Sequence, residues 1–257
     1  MVFDPPIIYT SSDKSLPERD VPAMNRLCGK PVGFSRLPPI GTRSRNAANI
    51  SLSTATSSPL TSIGKSNLMN TLESVDWSQL PQPSDDGGAA HLPGKRMPQV
   101  SLASTSGRFV DPSSLEGVIV VYAYPMTGRP GRSLPDGWDM IPGARGCTPQ
   151  SCAFRDHFAE LQSRGVAHLF GLSTQPAAEQ RETADRLHLP FPLLSDAALE
   201  LTRALELPTF EVNGAILLKR LSLIIRDGLV IKAFYPVFPP DRAVFDVMAW
   251  FDGEEAD

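Results

Sequence analysis

Residues 118–124, Val-Ile-Val-Val-Tyr-Ala-Tyr, form a short and almost wholly apolar run. A strand that faces water on one side alternates apolar and polar residues, so a run apolar throughout reads as a strand covered on both faces. A second such run, Val166 to Leu172, follows an amphipathic segment over 153–161. Polar helical sequence near 176–187 comes next, then Phe191-Pro192-Leu193-Leu194-Ser195 and a helix near 197–206. Leu218 to Ile225 and Leu229 to Phe234 flank Asp227-Gly228, a strong hairpin signal. Val244, Val247, Met248 and Phe251 stand at helical spacing and make the apolar stripe of a closing helix. Strand, helix, strand, helix, hairpin, helix predicts an α/β fold, with a mixed central sheet flanked by helices and an antiparallel edge.

The folded pattern begins near Trp77, and the chain divides at about residue 75. Residues 21–72 contain no Asp or Glu, yet carry Arg26, Lys30, Arg36, Arg43, Arg45 and Lys65 among many Ser, Thr, Asn and Pro. No aromatic residue occurs between Phe34 and Trp77. Such sequence buries too little apolar surface to offset its conformational entropy, so residues 1–75 read as a disordered Ser/Pro/Arg-rich extension and 76–257 as one domain. The acid-poor stretch also has the composition of an organelle transit peptide, whereas Asp4, Asp13, Glu18 and Asp20 at the start do not suit one. A plain tail or an over-extended reading frame accounts for it equally well. The expected compartment is the cytoplasm, with a mitochondrion or other organelle as the alternative.

The net charge of −4 gives no sign of nucleic acid or an anionic membrane as partner. No apolar run approaches the ~20 residues that cross a bilayer, so a soluble protein is expected. Three cysteines are too few for a disulfide scaffold, and their odd number argues for reactive thiols.

Two of these, Cys147 and Cys152, lie in Gly-Cys-Thr-Pro-Gln-Ser-Cys, directly before the amphipathic segment. Thr148 suits an N-cap and Pro149 the first helical position, which puts Cys147 at the mouth of a helix. Unpaired N–H groups and the positive dipole end favour an anion there, and for cysteine that anion is the thiolate. A zinc site would need four ligands, and only the remote Cys28 and scattered histidines remain. His157 lies about 15 Å along the helix from Cys147, too far to act as its base. Arg155 reads as surface or structural. Gly64-Lys65-Ser66 lacks the earlier glycine of a phosphate-binding loop, since Pro59 stands there, and Asn49-Ile50-Ser51 fits a glycosylation sequon in a chain with no other sign of secretion.

Three stretches in consistent order resemble the peroxiredoxins. They are Val-Ile-Val-Val-Tyr-Ala-Tyr-Pro (118–125), Gly-Cys-Thr-Pro-Gln-Ser-Cys-Ala-Phe-Arg-Asp (146–156) and Lys-Arg-Leu-Ser-Leu-Ile-Ile-Arg-Asp-Gly (219–228), with Leu-Leu-Ser-Asp (193–196) in support. The nearest branch is the redoxin or Q/BCP type, which carries two redox cysteines five apart on one helix. The resemblance spans roughly 85–252 and implies a thioredoxin-like fold. It implies that Cys147 is the peroxidatic cysteine, whose thiolate attacks hydrogen peroxide or an organic hydroperoxide and becomes a sulfenic acid. It implies that Cys152 is the resolving cysteine, forming an intrasubunit disulfide that thioredoxin or a similar dithiol reduces. Five residues along a helix rise about 7.5 Å, against a Cα limit of roughly 7 Å for a disulfide, so that bond requires the first helical turn to unwind. Arg220 matches the arginine that opens a late strand and would hold the peroxide beside Cys147. No metal or organic cofactor is implied, and the chain is expected to be a monomer or a homodimer.

The sequence also departs from the family. A Thr or Ser usually stands three residues before the peroxidatic cysteine, where this chain has Ala144. A Pro and a Thr in the right context, Pro125 and Thr127, come about twenty residues earlier. A loop inserted over 128–145 explains this, with Thr127 supplying the hydroxyl that orients the peroxide. Arg145 adds positive charge, and the loop, carrying Trp138 and Pro142, reads as a lid, a specificity wall or a partner contact. Two other functions fit the cysteines: a general thiol–disulfide oxidoreductase, against which the C-x4-C spacing counts, and a non-catalytic sensor that passes Cys147 oxidation to a partner.

Overall fold

The computed structural model describes residues 76–254, and the expectations for residues 1–75 and for Cys28 lie outside them. Nine strands and five helices succeed one another along these residues. The two fully apolar runs are β3 (Val118–Ala123) and β4 (Val166–Ser173), paired in parallel at the centre of a seven-stranded sheet. β5 (Leu193–Ser195) continues the parallel set beside β4. On the other side of β3 lies β8 (Leu221–Arg226), antiparallel to it and to the edge strand β9 (Leu229–Phe234). The opposite edge is also antiparallel, formed by β1 (Leu102–Ser104) on β5 and β2 (Phe109–Val110) on β1. The strand order is therefore β2-β1-β5-β4-β3-β8-β9.

The pleat of β3 explains why its sequence is apolar throughout. Ile119, Val121 and Ala123 point into a core closed by Leu201 and Leu205, while Val120, Tyr122 and Tyr124 point into a second core on the opposite face. Leu201 and Leu205 belong to α4 (Glu200–Leu205). The second core is covered by α1 (Cys147–Asp156), with Phe154, and by α5 (Ala243–Glu254), with Val244, Val247, Met248 and Phe251. The stripe read for the closing helix is the buried stripe of α5. α2 (Phe158–Ser163) and α3 (Ala177–Leu187) complete the helices. Mixed central sheet and flanking helices agree with the expected α/β class.

At Asp227-Gly228 both residues have positive φ, 49° and 74°, as the predicted tight turn between β8 and β9 requires. Leu218 to Ile225, by contrast, is not one strand. A separate hairpin precedes β8: β6 (Thr209–Val212) pairs with β7 (Ala215–Leu218) around Asn213-Gly214, again with positive φ at both positions. Lys219 and Arg220 form the step from that small sheet into the main one. This step places Arg220 at the start of β8, beneath the N-terminus of α1.

Candidate active site

α1 begins two residues earlier than its cap chemistry suggests. Gly146 is the N-cap, with φ 100° and ψ 17°, and Cys147 is the first helical residue; Thr148 is buried within the first turn and does not cap it. Glycine is required at 146 for two reasons. Its φ is left-handed, and a Cβ there would lie 2.5 Å from Pro240 Cγ and 2.8 Å from Trp77. The tight passage at Gly146 turns the chain so that Cys147 opens the helix facing inward.

Cys147 is buried and carries a free thiol. Its Sγ lies 3.7 Å from the carbonyl oxygen of Ala144 and 3.2 Å from Nη2 of Arg220. The same Nη2 points at the carbonyls of Gly143 (3.3 Å), Ala144 (3.4 Å) and Arg145 (3.1 Å), so the guanidinium is gathered under the loop that enters α1. Its Nη1 donates to Oε1 of Gln150, a fully buried residue on the next turn of α1. Arg220 is itself only 3% exposed. A buried cation costs solvation unless its donors are satisfied; acceptors for Nη1 and Nη2 come from the loop and helix that carry the cysteine, while Nε has none. The charged Arg220 N–H is aimed at the sulfur as a directed donor.

The helix is tied to the sheet directly below the site. The Tyr122 ring stacks on Phe154 at 4.4 Å, and its hydroxyl donates to Ser151 Oγ at 3.2 Å. Burial raises the Tyr122 phenol well above its ordinary range, so it stays neutral and donates. Cys152, on the same helix, is also buried. It is not bonded to Cys147, whose thiol is free. The 147–152 bond implied by the resemblance is not formed in this structure, and α1 is helical across both positions.

Above Cys147 lies a cavity of about 100 Å³ lined by Trp77, Met126, Thr127, Leu134 and Trp138, with Arg145 at the side. Thr127 thus reaches the cavity, but its hydroxyl is within hydrogen-bond distance of Thr183 Oγ1 (2.7 Å) and Gln175 Oε1 (3.2 Å), and its N–H donates to Gln175 as well. Arg145 turns its side chain outward to an exposed ion pair with Asp139, leaving its carbonyl for Arg220. His157 sits against Phe245 and Glu160, and Arg155 is buried, bonding Asp156 and the carbonyl of Leu187. The 128–145 loop is a wall: Trp138 and Ala144 pack with Leu217 of β7, and Phe210 of β6 meets the Trp138 ring at 6.2 Å.

Gln150 and Trp77 escape sequence reasoning. Gln150 falls between the cysteines on the inward face of α1, a position recoverable from helical periodicity. Trp77 lies 70 residues from Cys147 and reaches it through a hydrogen bond from Nε1 to Asp241 (3.1 Å) and an edge-on contact with Phe238. No local signal announces that.

The Redoxin family model matches residues 92–248, which includes α1, Arg220 and most of both cores. The chain belongs to the Redoxin family. Among curated proteins it is 28% identical over 156 residues to the chloroplastic peroxiredoxin Q of Oryza sativa subsp. japonica, covering 60% of this chain and 64% of the rice protein. A chloroplastic peroxiredoxin Q of Populus jackii is 23% identical over 236 residues, covering 91% of this chain and 95% of that one. Peroxidoxin BcpB of Mycobacterium tuberculosis superposes with a TM-score of 0.51 at 24% identity, covering 63% of this chain and 96% of the other. That superposition establishes the thioredoxin-like fold of this redoxin.

Proposed function

We propose that the chain is a thiol peroxidase acting on hydrogen peroxide and organic hydroperoxides through Cys147. The Cys147 thiolate attacks the terminal oxygen of R–O–OH. An S–O bond forms, the O–O bond breaks, and the leaving RO⁻ takes a proton to become ROH. Sulfur loses two electrons and becomes a sulfenic acid, and the peroxide gains them. Cys152, as a thiol, then displaces hydroxide from that sulfenic acid, releasing water and closing the 147–152 disulfide once the first turn of α1 unwinds. A thioredoxin-type dithiol returns both sulfurs to thiols by exchange. The observation that carries this reading is the Arg220 guanidinium 3.2 Å from a free, buried cysteine sulfur at a helix N-terminus, beneath a cavity. Arg220 holds both the sulfur and the peroxide oxygens with directed donors. Thr127 would orient the peroxide by turning its hydroxyl from Thr183 toward the cavity.

The domain would comprise 76–257. The acid-poor composition of 21–72 and the chloroplastic relatives support residues 1–75 as an organelle-targeting segment. The test of the activity uses the full chain, wild type and Cys147→Ser, in peroxide consumption coupled to thioredoxin and its reductase. Sustained turnover is expected from the wild type and none from the variant, and a variant that keeps its turnover would remove Cys147 from the mechanism. Mapping the disulfides after one equivalent of peroxide should find the 147–152 bond.

A further inference from the structure

We infer that the cavity over Cys147 selects hydroperoxides with a compact apolar substituent over hydrogen peroxide, and that Leu134 and Trp138 of the 128–145 segment set the preference. The inference rests on the peroxidase reading and names the substrate class of that site.

Both kinds of peroxide present the same O–OH group to Cys147 and Arg220. They differ at the far oxygen, which carries hydrogen in one and carbon in the other. Among the residues lining the cavity, Trp77, Met126, Leu134 and Trp138 offer that end apolar surface. The lining hydroxyls are those of Thr148 and of Thr127, the latter engaged by Thr183 and Gln175. A second hydroxyl gains nothing from these four apolar side chains, which offer it no hydrogen bond in place of water. An alkyl group forfeits no hydrogen bond there and removes its carbon surface from water.

The wall is also preformed. Trp138 is 3% exposed and is held from behind by Phe210 and Leu217 of the β6–β7 hairpin. Trp77 is held by its hydrogen bond to Asp241 and by Phe238. A substrate does not have to order these side chains, so contact with them goes into discrimination. At about 100 Å³ the cavity takes a few carbons rather than an extended chain.

The experiment measures the rate at which each peroxide oxidises Cys147 in the full chain, by rapid quench, thiol labelling and mass analysis of the peptide that carries it. The probes are tert-butyl hydroperoxide and hydrogen peroxide, applied to wild type, Leu134→Ser and Trp138→Ala. Wild type should favour the alkyl peroxide, and each variant should lower the alkyl-to-hydrogen-peroxide ratio about tenfold, the scale set by a few carbons in an apolar pocket. Leu134 is only partly buried, so its variant carries the test if Trp138→Ala does not fold. A wild type that favours hydrogen peroxide, or variants that slow both peroxides equally, would overturn the inference and leave the peroxidase reading intact. Cys147 untouched by either peroxide would overturn both.

Discussion

The two walls of the Cys147 cavity are built by different means. The lower wall is the polar support behind Cys147, below the residues that line the cavity, and is rooted in the main sheet: Arg220 opens β8, Gln150 and Cys147 share α1, and Tyr122 and Phe154 lock that helix to β3. The upper wall is apolar and rooted outside the main sheet, in a loop whose Trp138 leans on the separate β6–β7 hairpin. Groups that must meet a reacting sulfur to within a few tenths of an ångström sit on elements fixed by two hydrophobic cores. Groups that need only exclude water and fit a substituent sit on a loop, where length and composition change at little cost to the fold. On the proposed reading, the chemistry and the selectivity of the site would thus be carried by separate parts of the chain.

The largest test of that separation is Arg220→Met. Losing a charge-assisted hydrogen bond to the sulfur and the peroxide should slow Cys147 oxidation about a hundredfold, or ~2.7 kcal/mol. The effect should be the same for hydrogen peroxide and tert-butyl hydroperoxide, because both present the same O–OH group to the guanidinium. Arg220→Lys should recover only part of it, since an ammonium cannot reach Gln150, the loop carbonyls and Sγ at once. A substrate-dependent loss in Arg220→Met would mean that the lower wall also selects, and the division would fail.

The second test strikes where the supports of both walls meet. Gly146 passes between Trp77, which belongs to the upper wall, and Pro240, which precedes α5. Gly146→Ala adds a Cβ into both and demands a left-handed φ of 100° from an alanine. We expect about 2 kcal/mol of lost stability in urea unfolding and slowed oxidation by both peroxides, because Cys147 and Trp77 shift together. Unchanged stability would show that the passage relaxes freely and that Trp77 is not a fixed part of the wall.

These two residues also show where the sequence is legible and where it is not. β3 and β4 could be read because burial on both faces leaves no room for polar residues, and α5 because four apolar side chains at helical spacing have one physical use. The cysteine pair was readable for a similar reason, since few contexts put a thiol at a helix mouth. The turn at Asp227-Gly228 was read, whereas Asn213-Gly214, with the same left-handed requirement, was passed over, and the apolar run on both sides of Arg220 looked continuous. Nothing in local composition says that a chain leaves one sheet for another at Lys219-Arg220; only tertiary pairing decides that. The helix start was misplaced because Thr148-Pro149 has good cap chemistry, and the crowding by Pro240 and Trp77 that selects Gly146 comes from residues distant in sequence. The direction of the Thr127 hydroxyl is of the same kind, set by Gln175 and Thr183 about fifty residues on.

The smallest expected effect lies just outside the lower wall. Asp86 accepts a hydrogen bond from Tyr235 (2.7 Å) and pairs with Lys219, the residue before Arg220. Lys219 and Tyr235 hold its carboxyl well below the usual carboxylate range. A group whose folded-state pKa is depressed contributes stability that is present above its unfolded value, near 4, and is lost as pH falls toward the folded one. The difference in stability between wild type and Asp86→Asn should therefore be constant at neutral pH and shrink as pH drops below about 4. The pair is exposed, so the difference should be slight and should diminish in high salt. Peroxide selectivity should not change in Asp86→Asn, because Asp86 does not line the Cys147 cavity. If selectivity does change, the Lys219-Arg220 step transmits strain upward, and the two walls are coupled through the residue that joins the small sheet to the large one.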